Sequence, residues 1–249
     1  MQTFPSDRQA RTKTLALDAS VDAGLRSYML GVYNKLGLGL LASAAAAWAA
    51  SSWPPLRDAL FVMEAGAVRG YTPLGMIVAF APLVILLGAA FFMRKAAAKG
   101  AGALYWTIVT LVGLSLGVLA LTYTGQSLVT TFLVTAAAFG GLSLVGYTTK
   151  KDLTGFGSFL IMGVIGLIIA SLVNLFLQSS AVGFAVSALG VLIFAGLTAY
   201  DTQRLKLAYY ELGGDEAARS VTTNYGALSL YLNFINMFQF LLALFGQRR

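Results

Sequence analysis

The sequence predicts an all-α integral membrane protein, a bundle of seven transmembrane helices, and three observations predict it. Of the 249 residues, 58% are hydrophobic and 11% charged, against roughly 25% charged in an ordinary soluble domain. The mean hydropathy is +0.77. Seven apolar runs are long enough to cross a hydrocarbon core, which takes about 20 residues of helix. Little chain is left between them, so the expected organisation is a polar, cytoplasmic tail at 1–25 and one membrane domain at 26–249.

The opening MQTFPSDRQARTKTLALDASVDAGLRS is polar, with no apolar core ahead of a small-residue cleavage site. It does not read as a cleaved secretory signal, and the first span, 29–50, is expected to direct insertion. The segment 51–72 contains Trp53-Pro54-Pro55 and is expected to lie at the interface, with Trp at headgroup level. The second span, 73–93, contains Pro82, which removes a backbone donor and predicts a kink. The third and fourth, 104–123 and 128–147, are joined by the short TYTGQS, and the fifth and sixth, 157–177 and 181–201, by QSS at 178–180. Connections that short require antiparallel hairpins. The seventh span is 226–245. Small residues in GLSLG at 113–117, at Gly140-Gly141 and in MGVIG at 162–166 predict close helix approach.

Charge orients the bundle. The net charge is +7 and the pI near 9.7, but the basic residues are spread over short loops with no aromatic-interleaved patch, which argues against nucleic acid and for a lipid bilayer as the partner. With a cytoplasmic N-terminus, twelve of the seventeen Lys and Arg fall in inside segments, as the positive-inside rule requires. Histidine and cysteine are absent. That excludes Cys/His zinc sites, Ser-His triads, thiol nucleophiles and disulfides, and no catalytic constellation is suggested by what remains. An enzyme is not expected, nor a resident cofactor.

Polar groups inside apolar helices are costly and therefore informative. Lys35, beside Asn34, is placed to snorkel to the surface, and Asn174 to join helices by a hydrogen bond. In the seventh span Tyr225, Ser229, Asn233 and Asn236 follow at intervals of 4, 4 and 3, which puts them on one face of a helix. A polar stripe turned to lipid is unfavourable, so it is expected to face other helices or a water-filled path. The sixth apolar run ends on Asp201, in AGLTAYDTQRLK. The connection 202–225 is long enough for Asp201 and Asn233 to meet.

The segments GYTTKKDLTGFGSFLIMGVIG at 146–166, AYDTQRLK at 199–206 and LYLNFINMF at 230–238 resemble the Bax inhibitor-1 family of membrane proteins, in particular its bacterial branch. RSYMLGVYNKLGLGL and LYWTIVTLVGLSLG are similar to that branch as well, and the likeness covers residues 26–249. The resemblance implies a bacterial inner-membrane protein with six outer helices around a central, polar-striped seventh. In channel-like members it implies a pair of aspartates that opens or closes a cation leak with pH, calcium being the usual ion. An arginine ending the second span, here Arg94 in FFMR, is implied to interact with the first aspartate. Asp201 matches that first aspartate, whereas Asn233 stands where the second is expected.

The expected ion pathway therefore runs past Asp201, Asn233, Asn236 and Arg94, with calcium as permeant ion or as an ion bound at Asp201. Two carboxylates in contact share a proton and titrate in coupled steps, whereas an Asp–Asn pair has one titrating group, so the pH switch is expected to be weakened. The alternative is a membrane interaction protein that modulates a membrane protease or a stress response, without transport, and binds a membrane protease or another membrane protein through residues 1–25.

Overall fold

The computed structural model describes residues 7–92, 98–212 and 214–249, with the side chains of 7–22, 90–92, 98 and 99 left out of the description. The chain forms α1 (Asp7–Ser52), α2 (Pro54–Leu60), a hairpin of β1 (Phe61–Glu64) and β2 (Ala67–Tyr71), then α3 (Pro73–Phe92), α4 (Ala98–Thr122), α5 (Gly125–Thr148), α6 (Thr154–Leu177), α7 (Ser180–Glu211) and α8 (Glu216–Phe245). The fold is all-helical apart from the hairpin. Among the described residues six helices are long and apolar enough to span a membrane: the part of α1 from Ala23, and α4 to α8. In α3 the part described with its side chains is the shorter apolar helix Pro73–Ala89, so the described residues give six of the seven expected spans. The helix runs through Pro82 without interruption.

The turns are built by the residues that close them. Thr124 accepts a hydrogen bond from the Ser127 N–H and caps α5, and Ser179 accepts from the Val182 N–H and caps α7. Asn174, expected to bond between helices, instead accepts from the Ser179 N–H at 3.1 Å and shapes the turn that follows α6. Gln178 adopts φ 50 at the C-cap of that helix, a left-handed conformation that a non-glycine residue takes at a cost.

The segment 51–72 is more ordered than an interfacial loop. Trp53-Pro54-Pro55 starts α2 with proline in its first turn, where no intrahelical donor is lost. Ala65 and Gly66, both at positive φ, make the two-residue turn between β1 and β2. Phe61, Leu60 and Ala50 form a small buried cluster beneath, with Tyr71 packed against it.

α8 packs against α1, α4, α5 and α7, while α6 lies on α7 and α3 on α4. More than half of the apolar stretch of α8 is buried, against a third or less in the other five spans. Leu230, Tyr231, Met237 and Leu242 of α8 are fully buried, as are Val32 of α1 and Tyr105 and Ile108 of α4. Close approach depends on some of the predicted small residues and not others. A Cβ at Gly113 would come within 2.7 Å of the Ser43 Cα, and one at Gly117 within 2.8 Å of Ala50 Cβ, so these two set the α1–α4 separation. Gly140, Gly141 and Gly166 have open space there and do no such packing.

The sixth and seventh apolar runs understate their helices. α7 continues ten residues past Asp201 and α8 begins at Glu216, so the expected long connection 202–225 is mostly helix closed by a tight turn. Asp215 caps α8 by accepting from the Ala217 and Ala218 N–H groups. Asp201 therefore lies well inside a helix, facing the core, and is not its rim.

Candidate functional site

Tyr200, Asp201, Thr202 and Gln203 in turn, and Lys206 beyond them, hold different neighbours of α7. The Tyr200 ring fills the space left by Gly157 of α6, where a Cβ would clash with it. Thr202, fully buried, donates to the Thr198 carbonyl of its own helix and lies 3.3 Å from the Tyr33 hydroxyl of α1. Gln203 reads both polarities of the α5–α6 connection: its Oε1 accepts from the Leu153 N–H at 2.8 Å and its Nε2 donates to the Lys151 carbonyl at 2.7 Å. Lys206 donates to the Tyr147 carbonyl in the last turn of α5 at 2.8 Å, where a cation also meets the negative end of the helix dipole. Gly146 of α5 rests directly on the Ala199 carbonyl, which brings these helices close enough for the bonds to form.

Asp201 points to α8. It is 5% exposed, and its Oδ2 accepts from the Ser229 hydroxyl at 2.6 Å and from Asn233 Nδ2 at 2.8 Å. Its Oδ1 pairs with Arg204 Nη2 at 2.9 Å, one helical turn on. Arg204 is half exposed, lies 3.4 Å from the Ser229 Oγ and stacks over the Tyr200 ring. A buried carboxylate without such donors would cost several kcal/mol, and here three groups share it, two fixed in the core and one reaching solvent.

The predicted residues are thus partly assembled. Asp201 and Asn233 meet. Asn236 does not join them: its Nδ2 donates to the Leu232 carbonyl of its own helix, away from Asp201. Arg94 lies outside the described residues. Ser229, recognised in the polar stripe but not as a site residue, is a direct partner, and so is Arg204. The signals for both were spacing: Ser229 precedes Asn233 by one turn, and Arg204 follows Asp201 by three residues. Among the described residues no three acidic groups gather to hold a metal ion, so Asp201 would offer calcium a single carboxylate.

Next to the site, Asp152 opens the turn into α6. The Thr154 hydroxyl and then its N–H, 2.8 Å from Oδ1, hold this exposed carboxyl below its ordinary pKa. On the other side of α8, the Ser43 hydroxyl donates to the Val109 carbonyl and lies 2.6 Å from the Tyr231 hydroxyl, and Tyr105 donates to the Lys35 carbonyl. Lys35 sits over the Tyr105 ring and packs on α4.

Residues 25–249 match the family described as inhibitor of apoptosis-promoting Bax1. The chain belongs to the Bax inhibitor-1 family. It is 63% identical over 248 residues to an uncharacterised protein of Caulobacter vibrioides, covering 100% of this chain and 96% of that one. It is 45% identical over 243 residues to a Rickettsia prowazekii protein, covering 96% and 98%. It is also 42% identical over 233 residues to the inner membrane protein YbhL of Escherichia coli K12, covering 91% and 94%. As a Bax inhibitor-1 family member it is a multi-pass membrane protein, and the Asp201 cluster falls within the segment the family match covers.

Proposed function

We propose that the protein is a gated cation pathway of the bacterial inner membrane, with calcium the permeant ion and Asp201 the charged group that gates it. In this reading α3 is the seventh span, α8 stands at the centre, and residues 1–25 face the cytoplasm. The observation that carries it is a carboxylate 5% exposed whose one cationic partner among the described residues, Arg204, is half exposed. With Arg204 docked, donors occupy both carboxylate oxygens and no cation can enter. With Arg204 turned to solvent, Asp201 Oδ1, the Ser229 Oγ and the amide oxygen of Asn233 offer a small set of oxygen ligands. Calcium takes 6–8 oxygens, so it would keep much of its water there, and a site of one acid holds it weakly enough to release. Asn233 in place of a second acid leaves one titrating group, so pH acts on this gate less than on an aspartate pair.

The test is calcium entry into liposomes that contain a calcium dye. Asp201→Ala is expected to change the flux several-fold, and Arg204→Gln to raise the resting leak. Flux equal to that of empty vesicles throughout pH 5–8 would end this reading.

A second reading has its own observation. α1 begins at Asp7, and its opening DRQARTKTLALDASVD is mostly polar, so a polar helical start precedes its apolar part. There the protein is an interaction partner of a membrane protease or another membrane protein, without transport. Deleting residues 1–25 separates the two, because a pathway keeps its flux while a partner bound through them is lost on pull-down. Neither reading involves catalysis, a resident cofactor or nucleic acid.

A further inference from the structure

The first turns of α5 carry a polar face to which the Asp201 site gives no task. Gln126 and Thr130 lie one turn apart, as do Ser127 and Thr131, and Val134 follows Thr130 by one turn more. Together with Leu241 and Phe245 of α8, and Gln247 beyond it, they line a cavity of ≈ 360 Å³ between the two helices. That volume falls in the range of small-molecule sites. Its polar groups are largely uncommitted. Thr131 is 7% exposed, and its carbonyl accepts from the Thr135 hydroxyl, while its own hydroxyl has no hydrogen-bond partner among the described residues. The side chains of Gln126, Thr130 and Gln247 make no hydrogen bond among the described residues either. The Ser127 hydroxyl is engaged as an acceptor from the Gln247 N–H at 3.0 Å and keeps its own proton to donate.

The place of the cavity states what fills it. Gln126 to Val134 is about 12 Å of helix, longer than the roughly 5–8 Å of headgroup layer on one side of a bilayer. The cavity therefore opens among headgroups and ends among acyl chains. Its polar residues occupy the first two turns of α5, and Val134 and Leu241 lie deeper, with Phe245 as an apolar wall. Val134 and Phe245 are 52% and 73% exposed, so the groove is open along its side. Water satisfies the hydroxyls but not that apolar wall, whereas an amphipathic molecule satisfies both. No acid lines the cavity, so an ammonium headgroup would find no counter-charge there. Amides and hydroxyls instead offer both donors and acceptors to a headgroup with hydroxyls of its own. At this end the hairpin charges balance, Arg57 with Asp58 and Arg69 with Glu64, and Arg248 and Arg249, directly after Gln247, make the end basic.

The geometry points to a phospholipid site in the α5–α8 groove, for an anionic lipid whose headgroup carries hydroxyls. The headgroup lies among Gln126, Ser127 and Gln247, the ester carbonyls accept from the hydroxyls of Thr130 and Thr131, and an acyl chain follows Val134 and Leu241. Phosphatidylglycerol has this chemistry. The site does not depend on whether the bundle conducts ions.

The experiment uses the full chain. Retention of phosphatidylglycerol, phosphatidylethanolamine and phosphatidylcholine with the same acyl chains is compared by native mass spectrometry, the three being offered in equal amounts. Thr131→Val keeps the shape of the side chain and removes the buried hydroxyl, and Thr130→Trp fills the groove from its exposed rim. Thr148→Val, exposed at the other end of α5, is the control. Phosphatidylglycerol is expected to be retained above the other two lipids. Its apparent affinity should fall about three- to tenfold in Thr131→Val, the loss of one hydrogen bond, vanish in Thr130→Trp and stay unchanged in the control. Melting in phosphatidylcholine nanodiscs, where the preferred lipid is absent, should be the same for all four chains, which separates loss of the site from loss of the fold. Equal retention of the three lipids, a preference for phosphatidylethanolamine, or a phosphatidylglycerol preference that survives in either groove variant would overturn the site.

Discussion

Asp201 is held by three donors of unequal permanence. Ser229 and Asn233 reach it from within the core of α8, whereas Arg204 comes from one turn along its own helix and is half exposed. A substitution that acts only on the fixed side is therefore the most informative. Asn233→Asp keeps the size of the side chain and adds a second carboxyl 2.8 Å from the first. The two would share a proton and titrate in coupled steps, the upper one nearer neutrality. Calcium flux in this variant is expected to depend more steeply on pH between about 5 and 8 than in the native protein. Superimposable profiles would mean that transport does not pass through this pair.

At the scale of elements, the α5–α6 connection hangs on one side chain of α7. Gln203→Ala removes two hydrogen bonds, to Leu153 and Lys151, and should cost about 1 kcal/mol for each. Hydrogen exchange at the Leu153 amide is expected to quicken while exchange in the middle of α8 stays unchanged. The same turn carries a pH signature. Because Asp152 is held below its ordinary pKa by Thr154, its contribution to the start of α6 is complete above the unfolded value, about 3.9, and is lost as pH falls through the depressed folded value. Asp152→Ala should then lower the melting temperature at pH 7 and make little difference at pH 2.

How far these elements can be read without coordinates depends on what marks them. The Asp201–Asn233 pairing is legible because the AYDTQRLK and LYLNFINMF motifs and the four-residue stripe each point to it. Arg204 is hidden, because hydropathy stops marking a helix where its residues become charged, and α7 runs ten residues beyond its apolar run. The β1–β2 hairpin is hidden for a different reason: its turn uses Ala65 and Gly66 at positive φ, where Asn-Gly or Asp-Gly would have announced it. The glycines that matter, Gly113, Gly117, Gly146 and Gly157, look no different in sequence from Gly140 and Gly141, since only the facing helix decides which one is crowded.

For the whole molecule, the helices sort the charges to the two ends. The α5–α6 connection, Arg204, Lys206 and Arg219 lie at one end, and the hairpin, the α4–α5 turn and residues 246–249 at the other. With the basic end cytoplasmic, a reporter active only in the cytoplasm should be silent when fused after Arg249. Strong activity there would place the α8 exit on the same side as the start of α1 and overturn the proposed orientation.

The burial of α8 also bears on how the protein is made. Every helix it packs against, α1, α4, α5 and α7, leaves the ribosome before it does. Until α8 is inserted, Asp201 has, among the described residues, Arg204 alone as a partner, and the faces that will bury Leu230, Tyr231 and Leu242 have nothing between them. The nascent bundle is thus an assembly without its interior, and it is completed only when its last helix arrives at the end of synthesis. Residues 246–249 then close it, since the Gln247 carbonyl accepts from the Thr124 N–H and the Arg249 N–H donates to the Thr122 carbonyl, stitching the late-arriving helix to a turn laid down about 120 residues earlier.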